Sequence, residues 1–464
     1  MENLELVYKT KTTPFFPICL ASVVYTKNFR DLIDENLTCG EPILAIVNDG
    51  FVNWFASKKL APITEIVFAR LFSHPKYLQN IYRQQETIHQ QMMTEIGGSI
   101  DKLFDGSKLN QKGEKKINTI YQLYIDYVYY LDLCGFLFQL YYVQNFKQII
   151  FKNSRLGQAE KDRLYNLILS TPRKTNYELF LTDIYQVLER EQSDIEIEKI
   201  VKKYYWLVHD YLGDIINIDY IKKIIREDSK SEIKQTIDDA EKRIIEITEI
   251  KKQFSPEIQQ KIEVVQKILY LYNEEKKITL SPVNIYIRRI FERKFLGINL
   301  NQLKIYYQLA PKEIIALLKN EKVENIEQRD KRWIYKITNG EIKNGEEKFF
   351  QLIELDKEVK ELKGNIACIG KVKGTVSVVL NISQITKFKK GEILVAPFTN
   401  VNYLPIMRKA LAIITETGGL TSHAAIISRE LNIPSIVGVK NLLSKVSDGD
   451  IVEVDADNGT VKIL

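Results

Sequence analysis

Histidine and cysteine are both scarce here, with four of each in 464 residues. Cys19, Cys39, Cys134 and Cys368 lie far apart without metal-ligand spacing, which excludes a disulfide scaffold or zinc ribbon and predicts reduced, mostly buried thiols. Glycine is unevenly spread, nine of the 21 lying from Gly364 onward. The long front of the chain is therefore poor in tight turns, which predicts helix, and it holds no Gly-x-x-x-x-Gly-Lys phosphate loop. Long apolar runs are missing as well. The most apolar longer window, Tyr127–Val143, contains Asp132 and Gln139 and is no membrane span. Phe15–Val24 follows Lys9 and Lys11, but Pro17 interrupts it and no cleavage site follows, so it reads as a strand and not a signal peptide. Nor does one charge dominate: 66 basic residues against 60 acidic give +6, too slight and too dispersed for a nucleic-acid binder. With 45% apolar residues, the composition predicts a soluble, cytoplasmic chain of two to four domains.

The expected fold class is multidomain α+β, a mostly helical N-terminal region followed by a C-terminal β/α domain. Residues 1–60 read as a small α/β lead-in, in which Pro42–Val47 is a buried strand and Asn48-Asp49-Gly50 its closing turn. Residues 61–335 are expected to be helical. Within them, Ser229–Gln253 carries Ile233, Ile237, Ala240, Ile244, Ile247 and Ile250 at helical spacing. Ser255-Pro256-Glu257 is an N-cap with proline at the first helical position, and Ile258, Ile262, Val265 and Leu269 continue a second helix. The charged faces of this helical hairpin read as solvated. Residues 336–363, with Asn339-Gly340 and Asn344-Gly345, are expected to form a β-hairpin and hinge. In residues 364–464, Lys371–Leu380, Glu392–Val395, Leu411–Thr415 and Ile451–Val454 read as strands, Asp457-Asn458-Gly459 as a hairpin turn, and Ser422–Leu431 as a helix. This last domain is expected to fold by itself and to swing on the hinge.

The chemistry is concentrated in Thr417–Ile426, where His423 follows Gly418, Gly419, Thr421 and Ser422 at the start of an apolar helix. Glycines let the backbone approach an anion closely. Thr421 and Ser422 can bond phosphate oxygens or cap the helix. A helix N-terminus stabilises negative charge through its free N–H groups and dipole. Neutral imidazole is nucleophilic near pH 7 and forms covalent intermediates. Together these features describe a histidine that takes up and passes on a phosphoryl group.

Gly391–Thr399, Leu404-Pro405 and Ala412–Gly438 together resemble the mobile phosphohistidine domain of phosphoenolpyruvate-utilising enzymes, a family that includes phosphoenolpyruvate synthase, pyruvate phosphate dikinase and rifampin phosphotransferase. The departures are Val401 where proline is expected, Asn402 and Glu416 for aspartate, and Asn432 for glycine. The resemblance implies a β/α swivelling domain with His423 as nucleophile. Thr421, Ser422, Gly418, Gly419 and Arg429 would support the phosphate, although Arg429 lies well round the helix. The glycine-poor front does not resemble the ATP-grasp domain of the family, and no barrel for phosphoenolpyruvate follows. The resemblance therefore implies no metal or cofactor in this chain, with ATP and Mg²⁺ held by a free-standing, dikinase-like ATP-grasp partner and the phosphoryl acceptor unidentified. A non-catalytic phosphocarrier or regulator and a vestigial interaction module are the alternatives.

Other candidates have plainer readings beside them. The aromatic series Tyr121, Tyr124, Tyr127, Tyr129, Tyr130, Phe136, Phe138, Tyr141 and Tyr142 reads as core or as an acceptor pocket. In Tyr204–Tyr211, His209 is a general base for an acceptor beside Trp206 and Tyr205, or a buried, hydrogen-bonded histidine. Arg288, Arg289, Arg293 and Lys294 form a solvated face or meet a phosphate. His74 and His89 have no partner legible in the sequence.

Overall fold

Two compact units make up the computed structural model, each assembled from stretches far apart in the chain: residues 1–142, 209–213 and 275–356 in one, and residues 143–208, 214–274 and 357–464 in the other. The structure describes residues 4–11, 43–48, 51–57, 60–137, 142–152, 154–190, 193–209, 215–227, 230–298, 303, 309–326, 332–338, 341–345, 362–379, 385, 387–399, 403–420, 422–439 and 442–464. The strand expected over Phe15–Val24, with Cys19 and Cys39, lies outside these residues, as do Asp49 and Gly50 and residues 346–361 of the expected hinge. Sequence alone cuts the chain consecutively, at 60, 335 and 363. Compaction groups it differently, because turn signals mark where the backbone bends and not which distant helix it returns to.

In the first unit, Leu4–Lys11, Phe51–Ser57, Ile43–Asn48, Arg332–Thr338 and Glu341–Asn344 form an antiparallel sheet in that order. The hairpin expected around Asn339-Gly340 is thus part of a sheet that includes strands from the lead-in. The helices Pro75–Glu95, Gln111–Leu137 and Lys276–Lys294 also belong to this unit. A chain of hydroxyl groups joins them: His89 Nδ1 bonds Thr279 Oγ1 at 2.9 Å, Thr279 donates to the Tyr127 hydroxyl at 3.0 Å, and Tyr127 donates to the Glu275 carbonyl at 3.5 Å. Burial lowers the pKa of His89, and Glu86 partly offsets the effect. Tyr121, Tyr124, Tyr127 and Tyr142 are buried in the core, so these members of the aromatic series pack and do not line an open pocket.

The second unit is a seven-stranded sheet with helices. We label its strands β1 (Asn365–Cys368), β2 (Lys371–Val378), β3 (Ile393–Ala396), β4 (Ala412–Thr415), β5 (Ser435–Val437), β6 (Ile451–Asp455) and β7 (Thr460–Ile463). Their order is β7-β6-β2-β3-β4-β5-β1. The four middle strands β2 to β5 run parallel, and antiparallel strands flank them on both sides. Every residue of β3, β4 and β5 is buried, as expected of short apolar runs covered on both faces. On one face Leu394, Ala396, Ile413 and Val437 pack with Leu404, Met407, Ala424 and Ala425. On the other, Ile393, Val395, Ile414 and Ile436 pack with Leu442, Val446, Val452 and Val454.

Three helices of this unit bear on the histidine: α1 (Asn176–Glu189), α2 (Lys230–Lys251) and α3 (His423–Glu430). Helix α1 starts with a capping box, Thr175 accepting from the Glu178 N–H while the Glu178 carboxylate accepts from the Thr175 N–H. Tyr177 at its start packs against the sheet core, with the Arg408 guanidinium over its ring at 5.8 Å. The buried stripe of α2 departs from expectation. It runs through Ile233, Ile237, Ala240, Arg243, Ile247 and Ile250, whereas Ile244 is half-buried and Ile245 is 63% exposed. An arginine takes the place expected of an isoleucine, and it can do so because the carboxyl groups of Glu178, Glu274 and Glu430 surround it. Beyond α2, Ser255 caps the helix Pro256–Tyr270 through the Ile258 N–H, as its sequence predicts.

Candidate functional site

The carboxyl ends of parallel strands are where open sheets place ligands. Here the ends of β3 and β4 are fastened together, because the Thr417 N–H and hydroxyl both donate to the Pro397 carbonyl, at 2.9 and 2.8 Å. The turn after β4 then requires glycine at a named position. Gly418 has φ +116°, and a Cβ there would lie 2.9 Å from Ser422 Oγ. Gly438, at the end of β5, has φ +70°, and a Cβ there would lie 2.8 Å from the Gly418 carbonyl oxygen. The Gly419 carbonyl accepts from the Ser422 N–H at 2.9 Å.

This turn delivers His423 to the first position of α3. Ser422 is its N-cap, accepting from the Ala425 N–H at 3.4 Å. The half-buried His423 ring bonds Thr399 Oγ1 through Nδ1 at 2.9 Å. Thr399 was missed as a site residue. Its only signal in the sequence is a hydroxyl residue just beyond the apolar run Ile393–Ala396, where a strand ends. Thr421 lies outside the described residues.

Arg429 is directed at the turn. Its Nη2 donates to the Leu420 carbonyl at 2.6 Å and its Nη1 to the Ala367 carbonyl at 3.4 Å. Burial lowers its pKa to about 10, so it stays charged at neutral pH. Nearby Cys368 is a buried free thiol that burial pushes up to about 11, which leaves it inert. Glu416 accepts from the Leu443 N–H at 2.8 Å. Asn432, which stands where the resemblance leads to glycine, has φ +52°, the left-handed helix-ending conformation that glycine would supply.

Trp206 is buried and its Nε1 donates to the Lys203 carbonyl at 3.0 Å, while Tyr205 is half-buried. Both belong to the second unit, whereas His209 is buried in the first, where its carbonyl accepts from the Ser281 hydroxyl. Of the basic group, Arg288 pairs with Glu292, and Arg293 with Asp101. Among the described residues, no group of three or more His, Cys, Asp or Glu side chains is placed to hold a metal ion. Nor is any described helix long and apolar enough to cross a membrane.

Residues 388–459 match the profile of the PEP-utilising enzyme, mobile domain family. A probable phosphoenolpyruvate synthase of Pyrococcus abyssi is 48% identical over 109 residues, which are 23% of this chain and 13% of that protein. The phosphoenolpyruvate synthase of Aeropyrum pernix is 36% identical over 158 residues, 34% of this chain and 18% of that protein. An uncharacterized phosphotransferase of Bacillus subtilis is 34% identical over 128 residues, 27% of this chain and 15% of that protein. The matched part thus spans less than a fifth of these relatives.

Proposed function

We propose, taking residues 388–459 as a mobile domain of the phosphoenolpyruvate-utilising type, that His423 carries a phosphoryl group between a donor and an acceptor. The observation that carries this reading is the placement of His423 at the N-terminus of α3 with Nδ1 on the Thr399 hydroxyl. With the proton on Nδ1 donated to Thr399, the lone pair lies on Nε2. That nitrogen attacks the phosphorus of the donor. The N–P bond forms as the P–O bond to the leaving group breaks, and its electron pair departs with that oxygen. In the second half, an acceptor oxygen attacks the same phosphorus, the N–P bond breaks and the acceptor gives up its proton. The N-terminus of α3 and the backbone around Gly418 and Gly419 stabilise the negative charge, with Ser422 and Thr421 as hydroxyl donors. Arg429 contributes by holding the Leu420 carbonyl, and so the turn, in place.

Donor and acceptor are finer points of the same proposal. A free-standing ATP-grasp protein would supply the β-phosphoryl of ATP with Mg²⁺, the domain would swivel to deliver it, and the helical stretches would bind the acceptor. The decisive experiment is intact-mass analysis of the chain after incubation with such a partner and MgATP. One added phosphoryl group is expected, labile to acid and stable to base, and absent from His423→Ala. Acid-stable label, or label on the alanine variant, removes His423 as the carrier.

A further inference from the structure

The carboxyl end of α3 is buried in charge. Arg243 of α2 and Glu178 of α1 form a two-pronged pair, Nη1 to Oε1 at 2.8 Å and Nη2 to Oε2 at 3.0 Å, with both side chains 7% exposed. Glu178 Oε2 also accepts from the Thr175 N–H, so this carboxylate holds three hydrogen bonds. Glu430, the last residue of α3, reaches this pair from the sheet side. Its Oε1 lies 3.5 Å from Arg243 Nη1, its side chain is 7% exposed, and that oxygen makes no hydrogen bond. A third carboxylate, Glu274, accepts from the Asn176 N–H at the start of α1 at 2.7 Å. Three carboxyl groups therefore crowd one guanidinium, whose Nη1 and Nη2 are given to Glu178 while its Nε has no hydrogen-bond partner. Among the described residues, Arg429 is the other cation acting on Glu430, and two of its nitrogens are already given to carbonyls.

Like charges at this spacing in a low dielectric do not all ionise. Glu178 has the bidentate arginine and a backbone N–H, and Glu274 has a helix N-terminus. Glu430 is the poorest in donors. We propose that Glu430 docks as a neutral carboxyl group into the Arg243–Glu178 socket, and that loss of its proton weakens the hold on the histidine-bearing helix. Its pKa is in keeping: burial, with Glu178 and Glu274, raises it from 4.5 to about 8, against the pull of Arg243 and Arg429. Of the two cations acting on it, Arg429 titrates near 10 and Arg243 is raised above the ordinary arginine value, so neither changes charge in that range.

Linkage sets the sign. The docked helix keeps the proton to higher pH than a released one does, so docking is firmest below the ordinary carboxylate range. It then loosens by up to about tenfold per pH unit as pH climbs to the docked value, and levels off above it. The two ends of one eight-residue helix are thereby joined: the carrier histidine at the start, a proton-dependent clasp at the finish.

Hydrogen exchange of the full chain from pH 5 to 9, read as protection factors for α3 and the start of α1, tests the idea without any phosphoryl chemistry. It therefore stands or falls separately from the carrier reading. Protection in wild type is expected to fall steadily up to pH about 8. Glu430→Gln, which keeps shape and neutrality, is expected to hold the acid-pH protection throughout. A flat wild-type profile, or a Glu430→Gln profile that still slopes like wild type, overturns the proposal. Carbon-13 titration of the Glu430 carboxyl in unaltered protein gives the independent check: a midpoint near 8 supports the clasp, and one in the ordinary carboxylate range refutes it.

Discussion

The two ends of α3 solve opposite problems. At its start, His423 is half-buried and has one ring bond to Thr399, in a turn shaped by the backbone of Gly418 and Gly438. At its finish, Glu430 is enclosed with Arg243, Glu178 and Glu274. Groups at the first end must stay reachable, and little stability depends on them. Groups at the second are shut away from water, where each charge lacks solvation and removing one strands the others. On the proposed carrier reading, reactivity and anchorage are thus separated along about 10 Å of helix, from the rise per residue.

That separation makes the variants divide cleanly. The largest expected effect is on anchorage: Arg243→Met leaves three buried carboxyl groups uncompensated and should cost about 3–5 kcal/mol at neutral pH. Chemical denaturation measures it, and the loss should shrink in the Arg243→Met, Glu430→Gln double variant. Equal losses in both backgrounds would break the distinction. Gly438→Ala comes next. Its Cβ meets the Gly418 carbonyl at a positive φ, so about 2 kcal/mol of destabilisation is expected, with a distorted turn and slowed phosphoryl uptake. Thr399→Val sharpens the contrast from the other side: stability should fall by only about 1 kcal/mol while phosphorylation slows roughly tenfold or more, and Thr399→Ser should restore it. Unchanged phosphorylation kinetics in the valine variant would remove Thr399 from the site. Ser422→Ala is expected to be mildest, about 1 kcal/mol or less from the lost cap in a thermal melt.

How much of this was legible depends on how local each signal is. The strand expected over Glu392–Val395 is found at Ile393–Ala396, and the helix expected over Ser422–Leu431 at His423–Glu430, because an apolar run between turn residues and a capped start are written in neighbouring positions. The Ser255-Pro256 start was equally plain. The Thr399 bond to His423 was not, since it joins the loop after β3 to the start of α3, which meet only when β3 and β4 pair side by side. Arg243 was the hardest. Within a run rich in Lys and Glu it reads as solvated, and Ile244 beside it offers a plausible stripe. Only the arrival of Glu178 and Glu430 from other helices makes the arginine the inward residue. Periodicity counts apolar side chains and cannot register a charge whose partner is remote in sequence.

One detail of the capping box reaches further than helix geometry. The Glu178 carboxylate closes the start of α1 and also seats Arg243, and its Oε2 serves both the local and the long-range purpose. Substitutions at Thr175, Glu178, Arg243 and Glu430 should therefore be strongly non-additive, each one's effect depending on the others present. For a drifting lineage this is a barrier. Replacing the charged cluster by apolar side chains is tolerable only if Arg243 and Glu178 change together, because losing either one alone leaves the other a stranded ion. The clasp is consequently harder to lose by gradual substitution than the surface around it, whatever selection acts on the histidine.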